Sequence, residues 1–163
     1  MPAVVQIIEK NTVGGTATDK TGGSVRLKTA DNSTVDLVNP LVKPAAGSNW
    51  SFEKWLRLNV TGGSYTQISN LRAYTDGLSG LGTGINLWAK AVTTYATPAL
   101  GTASTGYANA FTFVVGAPLS LGAGPFTATG EKGDHLVLLA EVTAIAAGGL
   151  TPAETITMAW DEI

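Results

Sequence analysis

The stretch NWSFEKWLRLNV, Asn49 to Val60, decides the reading of the fold. Its even positions carry Trp50, Phe52, Lys54, Leu56, Leu58 and Val60; its odd positions carry Ser51, Glu53, Trp55, Arg57 and Asn59. Successive side chains point to opposite faces of a strand, so a period of two sorts residues by face. One side is apolar with a single lysine, and the other is polar with a single tryptophan. The pattern predicts a central strand of an antiparallel sheet, with the even side on a core and the odd side wet. Trp50 belongs to the core on this reading.

Working outward, Ala3 to Glu9, rich in Val and Ile, reads as an opening strand, and the same alternation recurs at Ser24 to Thr29, Gln67 to Thr75, Ile85 to Val92 and Thr155 to Asp161. Phe111 to Val115 reads as a strand, and His135 to Ala144 as the most buried one. Short strands are expected at Thr34 to Val38 and Phe126 to Thr129. Gly, Pro and Asx clusters separate them: Gly14-Gly15, Gly22-Gly23, Asp31-Asn32-Ser33, Pro40, Pro44, Gly62-Gly63, Asp76 to Gly84, Ala117 to Gly124 and Glu131 to Asp134. No segment sustains helical spacing. The expected architecture is all-β: an antiparallel β-sandwich of about eight strands, jelly-roll-like or immunoglobulin-like. Residues 1–163 form a single domain, with 1–23 an extended N-terminal strand or arm.

The composition narrows the function. A chain of 163 residues suits one domain with an ordinary core. With no cysteine, a disulfide framework, a thiolate nucleophile and a thiolate zinc site are excluded. A net charge of −2 gives no electrostatic reason to bind nucleic acid or an anionic membrane. Charged residues make up 13%, about half the usual share. Low charge with abundant Gly, Thr and Ala suits a protein packed against neighbours. Neither a signal peptide nor a membrane-spanning helix is evident, so assembly in a cytoplasm is expected.

Reactive constellations are sparse. His135 is the single histidine, it opens an apolar strand, and there is no G-x-S-x-G elbow to supply a nucleophile. One histidine does not make a zinc site, and Asp76 stands alone in its glycine-rich loop, so no metal or cofactor is expected. That loop lacks the Lys-Ser/Thr ending and following helix of a phosphate loop. Asp161 and Glu162 are adjacent on a strand, point to opposite faces and do not form a catalytic pair. Trp55 and Trp88 stand among polar neighbours. With Tyr74 they are candidates either for a protein interface or for a platform that stacks sugar rings. Val4, Val5 and Ile7, in the N-terminal segment, are candidates for reaching a neighbouring chain, as is the long Thr93 to Gly106 loop.

The runs TGGSVRLKTADNSTVD, NWSFEKWLRLNVTGGSYTQISNLRAYTDG and GTGINLWAK, with the ending LTPAETITMAWDEI, resemble small structural proteins of tailed-phage and prophage head modules. Such proteins are similar to capsid decoration, or cement, proteins: β-sandwiches that sit on the outer shell and bridge neighbouring major capsid subunits. The resemblance implies a non-enzymatic virion protein, homo-oligomeric, partnered by the major capsid protein and by copies of itself, with no nucleic acid and no membrane. It transfers no set of site residues. The alternative is a carbohydrate-binding or receptor-binding sandwich of a phage tail or fibre, which requires Trp55, Trp88 and Tyr74 in an exposed coplanar row.

Overall fold

The computed structural model describes residues 2–163 and contains ten strands and one short 3-10 turn. In chain order the strands are β1 (Val4–Asn11), β2 (Thr16–Asp19), β3 (Ser48–Trp50), β4 (Lys54–Gly62), β5 (Ile68–Tyr74), β6 (Ile85–Val92), β7 (Ala108–Asn109), β8 (Leu119–Gly122), β9 (Gly130–Thr143) and β10 (Thr157–Glu162). A seven-stranded sheet runs β2-β1-β4-β9-β6-β7, with β3 also on β9; a three-stranded sheet runs β10-β5-β8. Every strand pairing is antiparallel. The all-β sandwich is as expected, while the strand count is ten rather than about eight.

The two sheets meet through one apolar core. Leu56, Leu58 and Val60 of β4, Leu87 and Ala89 of β6, and Leu136 and Leu138 of β9 face Ile68, Leu71 and Ala73 of β5 and Leu121 of β8. Met158 and Trp160 of β10 close one side. Full burial of each large aliphatic side chain contributes about 1.5–3 kcal/mol. Val5 and Ile7 sit opposite Val60 and Leu58 and pack on this core.

Three strands cannot cover seven. Beyond the small sheet, Val25 and Leu27 lean onto the core from a segment without strand pairing. The alternation of Ser24 to Thr29 therefore marks an extended chain with one apolar side rather than a strand. Thr34 to Val38 is likewise not a strand, Phe111 falls in the 3-10 turn Ala110–Thr112, and Phe126 makes only an isolated bridge to Ile68.

Two bulges explain where face and alternation part company. Trp50 pairs with Glu141 and Lys54 with Leu138, so four steps on one strand match three on the other. The extra residue flips parity, and Trp50 joins Trp55 on the outer face instead of the core. On β9, the expected turn Glu131 to Asp134 is a bulge inside a single strand of 14 residues. Gly133 makes it possible: its φ is +67°, and a Cβ there would lie 2.3 Å from the carbonyl oxygen of Leu121.

Candidate interaction surface

The outer face of the large sheet is not wet. Thr93 to Gly106, expected to reach toward a neighbour, folds back across it. Glu53 N–H donates to Ala99 and Gly101 N–H to Ser51, both at 2.9 Å, and Phe52 bridges to Leu100. A Cβ on Gly101 would fall 2.6 Å from Leu139 Cδ1, so the backbone lies directly on β9. This third layer is why Val137 and Leu139 are as buried as Leu136 and Leu138.

Trp55 lies beneath that layer, 3% exposed. Its ring meets Tyr95 edge-on at 5.4 Å and His135 at 5.4 Å. Its Nε1 donates to Glu53 at 3.0 Å. Trp88 is half-buried and donates to Glu141 at 3.2 Å. Tyr74 sits on β5, in the other sheet. The candidate aromatics are therefore dispersed between two layers, and Trp55 is closed to any ligand. Val5 and Ile7 serve the core, and Val4 is exposed. The N-terminal segment is no free arm: β1 lies between β2 and β4 within the large sheet.

Three carboxylates organise the outer face. Glu53 accepts from Trp55, Lys90, Ala99 and Tyr107. Burial pushes its pKa up, but the hydrogen bonds from Tyr107, Trp55 and Ala99, with the Lys90 charge, outweigh burial and hold it below the ordinary value. Burial and the Glu53 carboxylate push the Tyr107 hydroxyl up in turn. Glu131 is held low against its burial by Lys10 and Arg57, at 2.9 and 3.0 Å. Glu141 is held low against its burial by Ser48, Asn86 and Trp88. Each carboxylate is saturated by its own donors.

His135 is fully buried. Its Nδ1 lies 3.1 Å from the Val92 carbonyl, which only accepts, so Nδ1 carries the proton. Desolvation holds the imidazole pKa below its ordinary value. No hydroxyl nucleophile or carboxylate bonds to it. Among the described residues, no three His, Asp or Glu side chains come together to hold a metal ion. A groove of about 380 Å³ is lined by Tyr74, Asp76, Val114, Val115, Glu154 and Thr157 and contains no acid–base pair bonded to each other.

The surface feature that stands out was missed in the sequence. Val35, Leu37, Val38 and Val42 are exposed by 52, 69, 62 and 59%. Between them, Asp36 points inward to the ammonium of Lys28, itself buried, at 2.9 Å. That hydrogen bond holds the Asp36 carboxyl below the usual range. The Asn39 carbonyl accepts from Thr29 N–H at 2.9 Å, and the Val42 carbonyl from Asn49 at 2.7 Å. Four apolar side chains face outward on a backbone pinned at several points, while Asp36, 34% exposed, turns its carboxylate to buried Lys28. Large apolar side chains exposed together along one short segment mark interaction sites. The VDLV spacing carried the signal, but it was assigned to a strand.

No family model, curated protein or solved structure matches this chain.

Proposed function

We propose that the protein is a non-enzymatic virion component that decorates and stabilises a phage capsid, bridging major capsid subunits and copies of itself. The observation that carries this reading is the exposed apolar ridge from Val35 to Val42. Folding alone favours burying such side chains; four of them more than half exposed on a pinned backbone suit a partner that covers them. The saturated carboxylates and the buried histidine support a structural role over a catalytic one. The sugar-stacking alternative loses Trp55, which is buried.

Co-sedimentation with empty shells from the phage or prophage that encodes the chain tests this reading. The parent chain is expected to pellet with the shells. A Leu37→Asp, Val38→Asp double variant is expected to stay in the supernatant with an unchanged melting temperature. A parent chain that never associates with shells, or is absent from purified virions, overturns it.

A further inference from the structure

Beneath the segment that completes the core lies a buried polar site distinct from the ridge. Glu9 and Asn11 lie two apart on β1, on one face, and Lys54 opens β4. The β1–β4 register ends with Lys10 opposite Trp55; one step further sets Asn11 opposite Lys54. Directly opposed residues have Cβ atoms about 4.5–5.5 Å apart. The side chains of Lys54 and Glu9 are 0% and 1% exposed, and Asn11 is 4% exposed. Lys54 Nζ donates to Glu9 Oε1 at 3.0 Å and to the Asn32 carbonyl at 2.6 Å.

Two features do not fit a merely structural ion pair. Neither amide atom of Asn11 has a hydrogen-bond partner, and a buried amide left unpaired is costly. The charges are also unequal. Lys20 Nζ lies 3.7 Å from Glu9 Oε2, so one carboxylate faces two ammoniums. Among the described residues, Glu9 is the only acid within ion-pair range of either lysine.

One reaction removes both anomalies. We propose that Lys54 and Asn11 condense into an intramolecular isopeptide bond, with Glu9 as the proton carrier. Glu9 takes a proton from the Lys54 ammonium, and the freed amine attacks Asn11 Cγ. As the bond from Cγ to Nδ2 breaks, the departing nitrogen takes the proton that the attacking nitrogen must lose, Glu9 returns the proton it holds, and the leaving group departs as ammonium. The new amide joins Nζ to Cγ; no oxidant or cofactor takes part. The site starts with one carboxylate and two ammoniums. It ends with Glu9 against Lys20 alone, and the ammonium charge departs with the product. The β1–β4 register sets the two residues across from each other, replacing an encounter in solution. The bond forms whether or not the protein sits on a shell.

Intact-mass measurement of the full chain under denaturing conditions tests the proposal, with Met1 processing allowed for. The parent is expected to be lighter than its sequence mass by one ammonia. Trypsin is expected to release a branched peptide joining Asn11–Lys20 to Thr29–Arg57, because a blocked Lys54 resists cleavage and Lys43 precedes proline. Lys54→Arg and Glu9→Gln are expected to carry their full sequence masses. A parent with its full sequence mass overturns the proposal. So does an ammonia loss that maps to a linear peptide, with Asn11 cyclised on its own backbone.

Discussion

Glu53 is the peg that holds the third layer to the sheet, and Glu53→Ala is the sharpest test of that layer. The substitution strands the Trp55 N–H, which is sealed from water, and frees Ala99 N–H and the Tyr107 hydroxyl. A hydrogen bond to a charged group contributes about 1.5–3 kcal/mol. Lys90 and Tyr107 can turn toward solvent, so the Trp55 bond dominates, and about 3 kcal/mol is expected in total. For a chain of this length that lowers the melting temperature by about 6–12 °C. Glu53→Gln keeps the shape and can still accept from Trp55, so a cost of about 1 kcal/mol is expected. Scanning calorimetry gives the magnitude, and limited proteolysis gives the location: cleavage between residues 93 and 107 should rise well before global unfolding. A double-mutant cycle with Tyr107→Phe should show coupling of about 1 kcal/mol. A Glu53→Ala variant that loses less than about 1 kcal/mol, with the loop still protected, would refute the assignment of Glu53 as the peg.

Three further outcomes are expected. The His135 pKa is lowered in the fold, so the unfolded chain binds a proton that the native chain refuses; stability is full above about pH 6.5 and falls as pH drops from there toward the folded pKa. His135→Gln, which still donates to Val92, should flatten that slope in urea titrations across pH 5 to 7. Gly133→Ala should cost more than about 2 kcal/mol, through both its left-handed backbone and the clash with Leu121, measured by denaturant midpoint. Trp55→Ala should cost about 3–5 kcal/mol, and in the parent Trp55 should resist fluorescence quenching by iodide.

Local alternation was enough to read the core face of β4, the inward row Ile156, Met158 and Trp160, and the β6 strand, because β6 pairs with β9 without a slip and, opposite β4 and β10, the extra residues sit on the partner strands. It failed wherever one extra residue entered. Asn70, at φ +51°, sits where β5 slips against β10, so Ile68 and Leu71 share the core despite opposite parity. Trp50 crossed faces for the same reason. Trp55 kept its predicted face, but a distant segment with no pattern of its own covers that face. Lys54 was visible as the odd member of an apolar row. Its partner Glu9, far off in the chain, was not, since ion pairing across a sheet leaves no mark on spacing. The Val35 to Val42 ridge was misassigned because an extended coil pinned by side chains carries the same residues as a strand.

The long strand β9 pairs with β3, β4 and β6, yet it is made after all three of them. During synthesis, Leu56, Leu58 and Leu87 must wait for some 50 or more residues of chain before the partner that joins their strands arrives. The nascent chain therefore carries unpaired, apolar ribbons until Gly130 to Thr143 has left the ribosome tunnel. Acquisition of the large sheet is a late, nearly all-at-once event, and truncations before residue 143 should yield chaperone-bound or aggregated material instead of a smaller folded unit.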